Sequence, residues 1–119
     1  MRRLGLYAPA TVLSLVAGFL ASVPDVAVAA DAARGQQVFT HRCSMCHREG
    51  GTGTLILARR LGAEKSLLEK RTDLEPTYVR TVVRWGLVNM PRISRVELPD
   101  ADMDALAAYL AAPKGPAAP

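Results

Sequence analysis

Apolar residues recur at helical spacing along the chain after residue 30. Gly35, Phe39 and Cys43 follow one another every four residues, so they share one face of a helix. We expect this helix to run from Asp31, which can cap it, to about Cys46. A glycine inside a helix costs about 1 kcal/mol relative to alanine. Gly35 therefore indicates either a close approach of another backbone or a frayed first turn.

The clearest helical segment lies between Glu75 and Gly86. Pro76 suits the first helical position, and glycine commonly follows the last residue of a helix. The segment has a broad apolar face that we expect to pack inward: Tyr78, Val79, Val82, Val83 and Trp85. A final helix is predicted over residues 99–112, with aspartates in its first turns, where the helix dipole favours them. Its inward-facing residues are Met103, Leu106, Ala107 and Leu110.

The segments between these helices are less regular. Residues 49–54 contain three glycines and are predicted to form a loop, and residues 61–70 are predicted to form a short helix or helical turn. Pro91 disfavours helix at Met90, so residues 87–97 are expected to be irregular. No segment has the alternating pattern of a strand. The sequence thus predicts an all-α fold.

Residues 1–30 have the layout of a secretory signal peptide. Two arginines precede an apolar stretch, and Ala27-Val28-Ala29-Ala30 provides a small-residue cleavage site, so we expect cleavage after Ala29 or Ala30. The alternative is an uncleaved membrane anchor, which two prolines disfavour as a continuous helix. Residues 31–112 then form one domain, and residues 113–119 form a disordered Pro/Ala-rich tail. Export places the protein in the bacterial periplasm or a comparable space, with no membrane anchor after cleavage.

Composition narrows the functional classes. The chain has 15 Lys and Arg against 11 Asp and Glu, a formal net charge of +4. This modest excess, without interleaved basic and aromatic residues, does not support nucleic-acid binding. A domain of this size gains little stability from its core alone. A large apolar cofactor would therefore supply what the core lacks.

The strongest chemical signal is Cys43-Ser44-Met45-Cys46-His47. Two thiols three positions apart can add to the two vinyl groups of a haem, and the imidazole that follows can ligate the iron. A C-x-x-C pair also occurs in dithiol redox sites, zinc sites and structural disulfides. The first needs a βαβ context, and a zinc site would have to draw all its ligands from one short stretch that includes His41. The adjacent His47 favours haem c, attached covalently through Cys43 and Cys46.

A second ligand can close the other side of the iron. Met45 is tethered between the two cysteines, and Met103 has the spacing of a core residue. Met90 lies on a non-helical loop stiffened by Pro91, and we expect His47 and Met90 to be the two metal ligands. The alternative is a buried loop methionine beside an open or histidine-filled site. An iron with both positions filled has no place for oxygen or peroxide, and a neutral thioether raises its potential, so this pair favours electron transfer over catalysis.

These motifs resemble those of the small mono-haem class I cytochromes c. The likeness joins Gly35-x-x-x-Phe39, Cys43-x-x-Cys46-His47, Val88-Asn89-Met90-Pro91 and Leu106-x-x-Tyr109-Leu110. It implies three to four helices packed around one covalently attached haem, with the first and last helices crossing where Gly35 meets the Tyr109 region. In that family a Gly-Pro-Leu loop often supplies the carbonyl that accepts the imidazole N–H. Gly53-Thr54-Leu55 stands there in this chain, where a threonine carbonyl can serve.

A narrower resemblance concerns the segment Tyr78-Val79-Arg80-x-x-Val83-Arg84-x-Gly86-x-x-x-Met90-Pro91. It is similar to the cytochrome subunit of p-cresol methylhydroxylase-type flavocytochromes. That likeness implies an electron-accepting subunit or partner of a flavoprotein dehydrogenase that acts on phenolic substrates. Two other functions stay open: a freely diffusing periplasmic cytochrome that serves a terminal oxidase or another dehydrogenase, and a haem sensor or peroxidase-like enzyme with an open iron site.

The charged residues near the Met90 loop have two interpretations. Arg84, Arg92, Arg95 and Trp85 cluster there in the sequence. They could dock a protein partner, or an arginine could pair with a haem propionate. They could equally be solvated charges beside a core tryptophan.

Overall fold

The computed structural model of the chain describes residues 25–114. Helix α1 spans Asp25–Val38 and continues through a π-helical turn, Phe39–Cys43, into the one-turn helix α2, Ser44–His47. After a short glycine-containing connection, helix α3 spans Thr52–Leu61. The predicted signal segment and the predicted tail lie largely outside the described residues.

The second half of the chain holds two more helices. Two 3₁₀ turns, Ala63–Lys65 and Leu68–Lys70, lead to helix α4 at Pro76–Trp85, and helix α5 spans Asp100–Ala111. Within residues 25–114 there is no strand, only an isolated bridge between Leu87 and Met90, which confirms the all-α prediction. No helix in this range is long and apolar enough to cross a membrane.

Helices α1 and α5 cross at Gly35. A Cβ atom on Gly35 would overlap the carbonyl oxygen of Ala105 and lie 2.5 Å from the Cβ of Tyr109. One turn further along, the rings of Phe39 and Tyr109 have centroids 6.3 Å apart and planes tilted by 49°. The expected crossing is therefore confirmed, and the alternative of a frayed first turn is wrong.

The core lies between α1, α4 and α5. Its buried side chains are Phe39, Leu74, Val79, Val83, Leu98, Met103, Leu106, Ala107 and Leu110, which includes all four residues predicted to face inward from α5. The predicted apolar face of α4 is wrong at Trp85, which is 79 % exposed, whereas Tyr78 lines the cavity described below. Trp85 lies about 120° around the helix from Val79, so the core covers only part of the predicted face.

Three predicted boundaries differ from the structure. Asp31 caps nothing, because α1 begins at Asp25. The loop predicted over residues 49–54 ends at Gly51, since Leu55 donates its N–H to the Gly51 carbonyl and opens α3. The helix predicted over residues 61–70 is two separate 3₁₀ turns, because Gly62 at φ +93° ends α3 in a conformation that does not continue a helix.

Arg84 ties α4 to the segment that precedes α5. Its guanidinium donates to the carbonyls of Ile93, Ser94 and Leu98 and to the carboxylate of Asp100. The Arg84 side chain is only 14 % exposed. Arg84 therefore has a structural role, and its interpretation as a solvated charge is wrong.

Candidate haem site

A cavity of about 410 Å³ opens between α2, α3, α4 and the loop that follows α4. Its walls are mostly apolar and are formed by side chains of α3, α4 and α5: Ile56, Leu57, Val79, Val82, Val83, Leu106 and Leu110. Cys43, Cys46, His47 and Met90 all line this same cavity. The fold thus brings together the four candidate site residues, although Met90 lies far from the others in the sequence.

The attachment sequence reaches the cavity through the π-helical turn. The backbone N–H of Ser44 donates to the Phe39 carbonyl five residues earlier, so this turn holds one residue more than an α-helical turn. Cys43 ends the turn half-buried, Cys46 is exposed on α2, and neither forms a disulfide. Burial, and after it the charge of Cys46, raises the pKa of the Cys43 thiol to about 11.

The His47 ring lies against the first turn of α3. A Cβ atom on Gly53 would lie 2.9 Å from Cε1 and 3.1 Å from Nδ1 of the ring, so glycine at this position admits the imidazole. The Nδ1 atom is buried and has no hydrogen-bond partner among the described residues. Burial lowers the pKa of the imidazole, which favours the neutral form that binds a metal.

The expected hydrogen bond from the imidazole N–H to a loop carbonyl does not form. Gly53-Thr54-Leu55 belongs to α3, where each carbonyl faces an N–H one turn ahead. The Thr54 hydroxyl is itself buried without a partner among residues 25–114, as is Nδ1 of His47. The start of α3 therefore holds two buried polar atoms that the described residues do not satisfy.

Met90 lies in a tight loop directly after α4. Leu87 and Met90 exchange backbone hydrogen bonds of 3.1 and 2.9 Å, and Val88 between them has a φ of 54°, a strained value for a β-branched residue. The backbone of Gly86 packs against the Met90 carbonyl. The half-buried Met90 side chain packs on the core. These contacts hold the loop, and with it the thioether, in one arrangement.

The other residues considered as ligands lie elsewhere. Met103 is buried in the core at 2 % exposure, and Met45 is 81 % exposed. Neither lines the cavity, and His41 is exposed on the π-helical turn. Over the described part of the chain, no group of three or more His, Cys, Asp or Glu side chains could hold a metal ion.

Comparison with known proteins identifies the family. Residues 30–110 match the family described as cytochrome C oxidase, cbb3-type, subunit III. The chain belongs to the class I c-type cytochromes. This cytochrome is also similar to cytochrome c6 of Cyanidioschyzon merolae (strain NIES-3377 / 10D), with 33 % identity over 84 residues that cover 71 % of this chain and 76 % of that protein. No solved structure matches it significantly. Its cofactor is haem c, covalently attached, and its activity is electron transfer.

The cytochrome also offers charges for the haem propionates. Arg60 and Arg71 are the cationic side chains among the described residues that line the cavity. Arg71 is 10 % exposed and donates to Asp73 over 2.8 and 3.1 Å, while Lys65 lies 3.2 Å from the same carboxylate. Hydrogen bonds from Arg71 and Lys65 hold the pKa of Asp73 well below its usual range. Sequence reasoning missed both arginines, because residues 59–71 hold five basic residues and no local signal marks those that face the cavity.

The cluster expected near the Met90 loop stays together in the folded cytochrome, where all four residues line one surface groove, but their exposure differs. Arg84 is turned inward, whereas Trp85 and Arg92 are exposed. Arg95 pairs with Asp100 at 3.1 Å. The interpretation of Trp85 as a core residue is wrong.

Proposed function

We propose that the protein is a one-electron carrier whose haem is attached at Cys43 and Cys46 and ligated by His47 and Met90. The observation that supports this most directly is that both thiols, the imidazole and the thioether line one apolar cavity. When bound, the haem iron supplies a one-electron couple.

The chain's own residues suit that task. Burial lowers the pKa of His47 and so favours its neutral form, and the neutral thioether of Met90 favours the reduced state. The hydrogen-bonded Leu87–Met90 loop would hold the thioether in the same place in both oxidation states, so little rearrangement would accompany electron transfer. The walls of the cavity are mostly apolar, as a haem requires.

The ferric absorption spectrum of the holoprotein tests the ligand pair. We expect a low-spin spectrum with the weak red band of methionine–iron ligation, and we expect Met90→Ala to abolish that band and lower the reduction potential. Met45→Ala is the matched control, since Met45 is 81 % exposed and lies outside the cavity. A high-spin wild-type spectrum without the band would refute the ligand pair and favour a sensor or peroxidase-like function.

We further propose that the electron donor is a flavoprotein dehydrogenase acting on phenolic substrates, with this chain as its electron-accepting subunit or partner. The resemblance of residues 78–91 to the cytochrome subunit of p-cresol methylhydroxylase-type flavocytochromes supports this. A second candidate is a diffusing carrier that serves a terminal oxidase. The matched family is named for an oxidase subunit, and the similarity to a cytochrome c6 agrees with such a carrier.

Purification from periplasmic extract separates these two candidates. A flavocytochrome subunit should elute with a flavin-containing partner, and p-cresol should then reduce the haem of the purified complex but not of the isolated cytochrome. The opposite result is a cytochrome that elutes without flavin and is rapidly oxidised by membranes containing a terminal oxidase. That result would refute the subunit proposal and support the diffusing carrier.

We also propose export, with residues 1–30 removed as a signal peptide, residues 31–112 as the cytochrome domain and residues 113–119 as a disordered tail. Cleavage after Ala29 or Ala30 would leave the crossing of α1 and α5 at Gly35 within the mature chain. Intact mass and N-terminal sequencing of the periplasmic protein should show a start at Ala30 or Asp31. A mature chain that keeps residues 1–30 would refute cleavage.

A further inference from the structure

A second cavity lies across α4 from the haem cavity. We call it the arginine groove; it measures about 470 Å³ and its lining includes Arg80, Arg84, Trp85, Arg92, Ile93 and Arg95. The α4 residues that line the haem cavity are Tyr78, Val79, Val82 and Val83. On a helical wheel the two sets lie about 160° apart, so one helix separates the groove from the haem.

The lining of the arginine groove is strongly cationic. Four arginines and no carboxylate line it. Arg80 pairs with Asp104 at 2.8 Å, and Arg84 and Arg95 both pair with Asp100. Across residues 25–114, the Arg92 side chain forms no hydrogen bond or ion pair. The groove therefore presents an uncompensated positive charge at Arg92.

An apolar contact surface lies beside this charge. The Trp85 indole is 79 % exposed and lines the groove, and the groove floor includes Ile93. Tryptophan and arginine are the side chains most enriched at the energetic centres of protein interfaces. A small inorganic anion could satisfy Arg92 but would leave the indole exposed, whereas a peptide segment could cover both.

We propose that the arginine groove docks an acidic segment of the redox partner. This rests on the proposed function, because it names the recognition chemistry of the protein that exchanges electrons with the haem. Charge complementarity selects aspartate or glutamate side chains for Arg92, and aliphatic parts of the same segment pack on Trp85. The groove lies beside the Met90 loop, since the backbone N of Arg92, which lines the groove, lies 3.0 Å from the Cβ position of Gly86. A docked partner would thus sit about one helix diameter, roughly 10 Å, from the haem cavity.

The single tryptophan of the chain makes occupancy of the groove directly measurable. Because the chain contains one Trp, the ferrous holoprotein should give one indole N–H signal in a ¹⁵N–¹H correlation spectrum. We expect titration with a blocked hexaglutamate peptide to shift that signal saturably, and blocked hexaglutamine and inorganic phosphate to leave it in place. Arg92→Gln should weaken hexaglutamate binding about fivefold, because one charge-assisted contact is removed.

Arg59→Gln is the matched control. Arg59 is exposed on α3 and lines neither cavity, so this variant loses the same charge and should bind hexaglutamate as the wild type does. Three results would overturn the proposal: no saturable shift, equal weakening in both variants, or an equal shift with phosphate alone, which would indicate a small-anion site. The ferric red band is recorded after the same samples are oxidised, so a failure of the His47 and Met90 ligand pair is seen separately from a failure of the groove.

Discussion

Replacing Gly86 by alanine should loosen the loop that holds Met90. Gly86 follows α4 with φ 75° and ψ 166°, a backbone conformation that is almost confined to glycine. An added Cβ atom would lie 2.7 Å from the carbonyl oxygen of Met90 and 3.0 Å from the backbone nitrogen of Arg92. Both contacts are with backbone atoms, so no side-chain rotation can relieve them.

The expected loss follows from these two effects. The backbone strain amounts to about 1–3 kcal/mol, and forced overpacking adds about 1–3 kcal/mol. Together they should lower the free energy of unfolding by about 2–6 kcal/mol, a large part of the about 5–15 kcal/mol that holds a typical domain folded. The clash is directed at the Met90 carbonyl, so the loop should move and the ferric red band should weaken.

Urea unfolding of the holoprotein, followed by circular dichroism, measures the loss, and the ferric spectrum reports the loop. Gly50→Ala is the matched control, because Gly50 has φ +74° but nothing within 4 Å of its Cβ position. The Gly50→Ala variant should lose only about 1 kcal/mol of unfolding free energy, from backbone strain alone, and it should keep the red band. Equal losses in the two variants, with the band unchanged in both, would refute the reasoning.

Three further substitutions test the fold around the site. Gly35→Ala should force α1 away from α5 and lower the free energy of unfolding by about 1–3 kcal/mol; an unchanged urea midpoint would contradict the close crossing. Arg84→Gln should lower it by about 2–3 kcal/mol, against less than about 1 kcal/mol for Arg80→Gln, whose ion pair is exposed; equal losses would contradict the structural role of Arg84. The backbone N–H and hydroxyl of Ser94 donate to Glu97 and lower the pKa of its carboxyl below the usual 4.5. A carboxyl whose pKa is lowered by folding stabilises the fold at pH values above its unfolded pKa, and this stabilisation is lost as the pH falls. The difference in unfolding free energy between wild type and Glu97→Gln should therefore narrow below pH 4.5. A difference that does not depend on pH would contradict this role of Glu97.

Elements bounded by residues with strong local preferences were predictable from the sequence. Helix α4 runs from Pro76 to the residue before Gly86, as predicted, because proline and glycine act through their own backbone angles. The cost of a glycine inside a helix indicated a close approach at Gly35, and the resemblance to class I cytochromes c named the last helix as its partner. The cavity likewise brings together the residues that the chemistry of the attachment sequence and of a loop thioether had selected.

Features set by tertiary contacts were not predictable. The inward turn of Arg84 depends on carbonyls up to 14 residues away, and no local pattern distinguishes it from the exposed Arg92. The exposure of Trp85 depends on how narrow a stripe of α4 the core covers. Helix α3 begins at Thr52, where the chain packs against the His47 ring, although three nearby glycines are typical of a loop.

The π-helical turn at Phe39–Cys43 has a consequence for chain length. Successive residues of an α-helix turn by about 100°, so deleting one residue from a regular helix rotates everything after it by that angle. Successive residues of a π turn advance by only roughly 80°. If one residue were deleted there, the segment could close as an ordinary α-helix, and Cys43 would rotate by no more than about 20° relative to Gly35. This stretch is therefore where the first helix can change length while its cysteines still face the haem.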